Sequence, residues 1–153
     1  MSNSKGVCML REKSCGAVVF IKKDEPTKYL LLNYAAGHWD FVKGNVEPNE
    51  SEKETVIREL KEETSITEAQ FIDGFREVIA YFYRRQGLTI RKEVVFFIME
   101  AYADKVELSF EHIGYAWLDY QHAMEKLTFK NAKDVLQKAH DFLKKNGIIK
   151  PTE

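Results

Sequence analysis

The chain reads as an α/β domain whose strands and helices do not alternate regularly. Three observations predict this class. Apolar and β-branched runs, bounded by turn residues, come as two successive pairs. One segment of helical period, around residues 49–64, separates those pairs, and two more segments of helical period close the chain.

Taken in order, residues 1–12 are polar and unpatterned, which predicts a mobile arm or a partial edge strand. Residues 14–22 and 28–34 are strand-like runs split by Lys23-Asp24-Glu25-Pro26-Thr27, a hairpin signal. Residues 39–42 read as a short strand entering a loop at Gly44. Pro48 keeps the preceding turn out of the helical region, and Ser51 with Glu54 matches a capping box, as does Asn49 with Glu52. The helix is therefore expected to start near Asn49 to Ser51. Residues 69–84 and 89–102 read as two long strands joined at Arg85-Gln86-Gly87-Leu88. A last strand at 115–119 precedes a short helix at 120–126 and a longer one from about 131 to 145. In the longer helix Val135, Leu136, Ala139, Phe142 and Leu143 recur at helical spacing, and Asn146-Gly147 ends it.

The length of 153 residues suits one domain with a sizeable core, expected over 1–153 with its centre at about 14–145 and with 1–12 and 147–153 peripheral. A net charge of −1 and a pI near 6.4 exclude bulk attraction to nucleic acid or anionic membrane, so any phosphate binding must rest on local basic groups. No stable nucleic-acid partner and no membrane partner are expected. Cys8 and Cys15 are too few and too close for a disulfide framework, and no signal-like or long apolar run is present. A cytoplasmic protein with two inert cysteines is the expectation. No internal repeat or interdomain linker is visible.

The segment from Gly44 to Ile66, GNVEPNESEKETVIRELKEETSI, carries the chemistry. At about 100° per residue, Glu59, Glu62 and Glu63 share one helical arc with Glu52 beside them, while Val56, Ile57 and Leu60 fall on a neighbouring apolar arc. Acids in the last turns oppose the helix dipole by roughly 0.3–1 kcal/mol each. Two readings fit: a solvated Glu-rich face, or a site where a hard dication such as Mg²⁺ offsets the repulsion and serves metal-assisted hydrolysis.

The order of residues resembles the Nudix box, GX5EX7REUXEEXGU with U a bulky apolar residue. Gly44, Glu50, Arg58, Glu59, Leu60, Glu62, Glu63 and Ile66 match at the required spacings. Ser65 departs, standing where the family has glycine just after the helix, a position that shapes the turn and supplies no ligand. The runs CGAVVFI, YLLLNY, GHWDFVKGNVEPNE and FEHIGYAWL extend the likeness over roughly residues 14–145, toward the asymmetrical bis(5′-nucleosyl)-tetraphosphate hydrolases, the diadenosine tetraphosphate branch. The resemblance implies a Nudix fold, a mixed β-sheet sandwiched between helices (α/β/α).

It also implies roles. Glu59 and Glu63 are expected as direct Mg²⁺ (or Mn²⁺) ligands, with the Lys43 main-chain carbonyl beside them and Glu62 as a further or water-mediated ligand. Glu50 and Arg58 are expected to pair, the guanidinium orienting loop and helix. Glu111 matches an acidic position outside the box that acts as metal ligand or general base. Lys43 and Lys92 are the expected phosphate contacts, with Arg84, Arg85 and Arg91 either helping or merely protecting an edge strand. His38 is expected to donate to a phosphate or to pack. Tyr81 and Tyr115 are the candidates for stacking on adenine, with Tyr83 as a stand-in for Tyr81. His112, His122 and His140 lack metal-ligand spacing and are expected as structural or surface residues.

The activity implied is Mg²⁺-dependent hydrolysis of diadenosine tetraphosphate to ATP and AMP by a monomer or weak dimer, with two or more ions bridging carboxylates and polyphosphate. The alternatives are an RNA 5′ pyrophosphohydrolase, another nucleotide pyrophosphatase acting on ADP-ribose or nucleoside triphosphates, or a non-catalytic nucleotide sensor on the same fold.

Overall fold

The computed structural model describes residues 9–153. In chain order its elements are β1 (Met9–Ile21), β2 (Lys28–Tyr34), β3 (Trp39–Asp40), β4 (Val42–Asn45), α1 (Glu52–Thr64), β5 (Ala69–Phe71), β6 (Glu77–Arg85), β7 (Leu88–Ala101), β8 (His112–Leu118), α2 (Tyr120–Lys126) and α3 (Lys130–Lys145). From Ser14 to its end at Ile21, β1 is buried on both faces, which a strand tolerates only when both sides of its sheet are covered. Cys15, Ala17 and Val19 pack with Val95, Phe97 and Met99 of β7 beneath Val56 and Leu60 of α1. Val18 and Phe20 pack with Val94, Phe96 and Ile98 beneath Ala123 of α2 and Val135, Leu136, Ala139 and Leu143 of α3. The expected sandwich is therefore present, with α1 on one face and α2 and α3 on the other.

The sheet is mixed. β1 and β7 run parallel from Met9 opposite Thr89 to Phe20 opposite Glu100. β1 and β2 form the predicted hairpin only at its closed end, where Phe20 faces Tyr29 and Ile21 faces Lys28. Beyond that they diverge, with β4 paired to β1 from Ser14↔Asn45 to Ala17↔Val42 and with β3 and β8 paired to β2. This divergence brings Lys43 and Gly44 beneath α1, and so positions the site.

Several boundaries differ from expectation for local reasons. The strand expected over 39–42 breaks at Phe41 because the chain changes partner there, from β2 to β1. The run 69–84 is two strands laid end to end along β7, interrupted near Gly74, whose φ of +98° no extended strand accommodates. The last strand starts earlier, at His112. Residues 9–12, expected in an arm or edge strand, belong to β1 and pair with β7, while 1–8, with Cys8, lie outside the described residues. The tail expected at the periphery buries Ile149 and ends with the Thr27 N–H donating to Glu153 Oε1 at 2.7 Å. Cys15 is buried, and burial pushes its thiol up to about 11, consistent with an inert cysteine. The β6–β7 turn has Gln86 at φ 54° and Gly87 at φ 78°, the paired positive values of a tight two-residue hairpin.

Helix α1 starts on the Ser51 capping box: the Glu54 N–H donates to Ser51 Oγ at 3.1 Å and the Ser51 N–H to Glu54 Oε1 at 2.8 Å. Asn49, the competing start, sits before the helix at φ 68°. At the other end Ser65 takes the left-handed cap conformation, φ 65°, and its N–H donates to Lys61 O at 2.9 Å. Glu52 does not join the acidic arc. It pairs with Lys13 at 2.6 Å and Arg76 at 2.7 Å, because the first turn of α1 faces β1 and the segment before β6.

Two predictions follow from the ends of α1. Ser65→Gly relieves the left-handed strain and should raise stability by roughly 0.5–1 kcal/mol, less whatever the Ser65 Oγ bond to Glu107 O contributes, as read by urea unfolding. The Arg76 and Lys13 pairing holds the Glu52 carboxyl down to about 2 from its ordinary 4.5. A depressed carboxylate stabilises the fold above its unfolded value and loses that contribution as pH falls toward its folded one. The urea midpoint should thus drop between pH 4.5 and pH 2, and Glu52→Gln should flatten that drop.

Candidate active site

Arg58 projects from α1 toward the turn after β4 and meets four carboxylates. Its Nε and Nη2 grip Glu50 at 2.5 and 3.0 Å, a bidentate pair. Nη1 donates to Glu59 Oε2 at 2.8 Å and Glu62 Oε1 at 3.0 Å and lies 3.6 Å from Glu47, while Nη2 also donates to Asn45 O at 3.0 Å. The guanidinium therefore ties the turn to the helix, the role expected of it. Glu50 accepts further bonds from the Glu47 N–H and Thr55 Oγ1, and Arg58 is the first cause holding its carboxyl down to about 2.

Glu59 lies directly over Gly44. A Cβ at Gly44 would overlap the Glu59 carboxylate, so any side chain there would push that carboxylate from its present place. Burial raises the Glu59 carboxyl above its ordinary value, against the opposing pull of Arg58. Glu63, one turn on, is more deeply set and makes no contact with Arg58 among the described residues. Its Oε2 lies 2.6 Å from His112 Nδ1 and accepts from Ser109 Oγ at 2.9 Å. His112 is thus a buried partner of an acidic residue, and the surface alternative for it is excluded.

Lys43, Arg58, Glu59, Glu62, Glu63, Lys92 and Glu111, all singled out in the sequence, line one cleft of about 430 Å³ together with Ser14, Gly44, Asn45 and Glu47. Lys92 donates to Asn45 Oδ1 at 2.8 Å, and that oxygen also accepts from Ser14 Oγ at 2.8 Å. Burial pushes the Lys92 ammonium below its ordinary value. A second, more apolar cavity of about 560 Å³ adjoins, lined by His38, Asp40, Lys43, Ile79, Tyr81 and Phe129 among others. Lys43 lines both, and its Nζ stands 5.4 Å above the Tyr34 ring.

The remaining candidates separate. His38 stacks on Tyr34 at 4.7 Å and packs against Phe129, and burial lowers its basicity, so near pH 7 it is a neutral wall of the second cavity. Tyr81 lines that cavity and Tyr83 donates to Glu12 at 2.6 Å. Tyr115 lines neither space. It stands opposite Leu32, on the α1 side of the sheet and 43% exposed, so the structure does not bring it to Tyr81. Arg84 is engaged by Gly87 O and Thr89 within its own hairpin, and Arg85 by Glu12. Sequence reasoning missed Ser14, Asn45, Glu47, Ser109, His112 and Phe129. Only His112 left a signal, as the immediate neighbour of Glu111.

The donor set fits a hard dication. Five carboxylates face three cations in the cleft, and the side chains without a basic group are oxygen donors. Among the described residues no three acidic, histidine or cysteine side chains already point at one common centre. Glu59 and Glu62 are turned to Arg58 and Glu63 to His112, and Glu62, with 55% of its side chain exposed, has room to turn.

Comparison with known proteins agrees with this architecture. The NUDIX domain family model matches residues 6–139. The chain is 36% identical over 143 residues to the mouse bis(5′-nucleosyl)-tetraphosphatase [asymmetrical], covering 86% of this chain and 95% of that protein. It is 32% identical over 136 residues to the Caenorhabditis elegans enzyme of the same name, covering 86% and 96%. The crystal structure of a C. elegans Ap4A hydrolase binary complex superposes with a TM-score of 0.77 at 30% identity, covering 86% of this chain and 97% of that one. With the Gly44–Ile66 segment folded as a loop and helix around Arg58, and with these likenesses over most of its length, the chain belongs to the Nudix hydrolase family.

Proposed function

We propose that this chain hydrolyses a phosphoanhydride bond in a nucleoside-linked polyphosphate, diadenosine tetraphosphate foremost, giving ATP and AMP. The observation that carries the reading is the junction at Lys43 of a charged, oxygen-rich cleft with a larger apolar cavity. Phosphates suit the first and a nucleoside the second. Stacking on Tyr81 and Phe129 would contribute about 1–3 kcal/mol per base. The names of the mouse and C. elegans relatives support the same substrate.

Glu59, Glu62, Glu63 and Glu111 would hold Mg²⁺, with the Lys43 carbonyl as a neutral ligand. When bound, the ion supplies Lewis-acid stabilisation of charge on the phosphoryl oxygens and a more acidic water. The protein's own groups do the rest. Lys43 and Lys92 neutralise phosphate oxygens, Arg58 fixes the turn that carries Lys43, and burial limits the contact of Glu63 with bulk water. A carboxylate, Glu111 or one of the helix glutamates, takes the proton of the water that attacks one phosphorus in line as the bridging oxygen departs.

Incubating the protein and Mg²⁺ with dinucleoside polyphosphates, triphosphorylated RNA, ADP-ribose and nucleoside triphosphates, then separating the products, tests the reading. Preferential conversion of diadenosine tetraphosphate to ATP and AMP supports it; faster attack on another class reassigns the substrate; Mg²⁺-dependent binding with no product makes the protein a sensor. Glu63→Gln keeps an acceptor for His112, so it should leave the melting temperature within a few degrees while lowering turnover by at least ~10²-fold. Turnover close to wild type in that variant would remove Glu63 from the mechanism.

A further inference from the structure

We propose that Ser109 and His112 form a clip that positions Glu63 for cation uptake and sets Glu111 beside it. The proposal rests on the reading of the cleft as a metal site. Glu63 is the acid of the α1 cluster that Arg58 does not reach, and its side chain is only 8% exposed. A carboxylate so enclosed needs compensating donors. Two groups from one short stretch of chain meet the same oxygen, Oε2: Ser109 Oγ donates to it at 2.9 Å and His112 Nδ1 lies 2.6 Å from it, and that same Nδ1 stands 3.3 Å from Ser109 Oγ. The Ser109 N–H also donates to Glu63 O at 3.2 Å, so backbone and side chain are registered together. Oε1 has no hydrogen-bond partner among the described residues and is not sealed from solvent.

The clip reaches the second carboxylate as well. Ser109 Oγ accepts the Glu111 N–H at 3.3 Å, so one hydroxyl touches the side chain of Glu63 and the backbone of Glu111. The His112 ring is fixed by the edge-on Tyr34 ring at 4.4 Å, and Tyr34 is itself anchored by donating to Phe41 O at 2.6 Å. The imidazole is 2% exposed in its side chain. The clip holds Glu63 with a hydroxyl and an imidazole and with no guanidinium or lysine ammonium. Arginine or lysine in that place would compete with a dication, as Arg58 already does for Glu59 and Glu62. The arrangement matches the way a second layer of donors fixes the angle of a ligating carboxylate.

The test is Mn²⁺ titration of the free protein by electron paramagnetic resonance, alongside melting temperatures and Mg²⁺-supported kinetics. The forms compared are wild type, His112→Phe, His112→Asn and Ser109→Ala. His112→Phe keeps the ring packing and loses the N–H, and it should weaken Mn²⁺ uptake about 10- to 100-fold and lower kcat without raising the KM for nucleotide. His112→Asn restores an N–H at similar reach and should recover most of the loss. Ser109→Ala should weaken uptake in the same direction, and it keeps the proposal testable if His112→Phe does not fold. Unchanged Mn²⁺ affinity in folded His112→Phe or Ser109→Ala, or an Asn variant no better than Phe, overturns the clip alone. Wild-type protein that takes up no Mn²⁺ overturns the reading of the cleft and the clip with it.

Discussion

Arg58 carries contacts to four carboxylates and one carbonyl on a single guanidinium, and the shape of the cleft depends on them. Without that cation Glu47, Glu50, Glu59 and Glu62 would confront one another across the end of β4 and the length of α1. A planar fork can serve several acceptors at once, which a lysine ammonium on a flexible stem does less well. The bidentate grip on Glu50 fixes the turn, and the remaining N–H groups hold Glu59 and Glu62 within reach of Lys43 and Gly44. Part of the acidic repulsion is thus relieved within the protein, and the excess of carboxylates that remains is what a dication would offset.

The fold delivers this arrangement by letting β1 and β2 separate. Their open end admits β4, which sets Gly44 against Glu59, while β8 joins the far side of β2 and brings His112 and Glu111 to the end of α1. The parallel β1–β7 pair, buried under helices on both faces, is the rigid base beneath these contacts. Lys92 of β7 reaches Asn45 of β4 across β1, joining the third side of the cleft to the same base.

Much of this is legible in the residue order. The box spacing brings Gly44, Arg58 and the glutamates to one cleft because a helix converts spacing into direction, and the capping box at Ser51 fixes where that direction starts. The turn at Gln86-Gly87 is legible because few sequences tolerate two successive positive φ values. What stays hidden depends on tertiary approach. Nothing local says that Glu52 faces Lys13 and Arg76 instead of the acidic arc, or that His112 is buried against Glu63. Alternation along 69–84 likewise conceals the break at Gly74, since β5 and β6 both keep β7 as partner. Tyr115 looks equivalent to Tyr81 by type, and only the strand register separates their faces.

The central claim is that the α1 carboxylates, arranged by Arg58, leave a place for a hard dication beside Gly44. A crystal structure of the protein grown with Mg²⁺ tests it most directly. The account predicts an ion with oxygen ligands at about 2.0–2.1 Å, including Glu59 and Glu63, while Arg58 keeps its two-point grip on Glu50. Glutamates turned away from one another into solvent, with no ion between them, would contradict it.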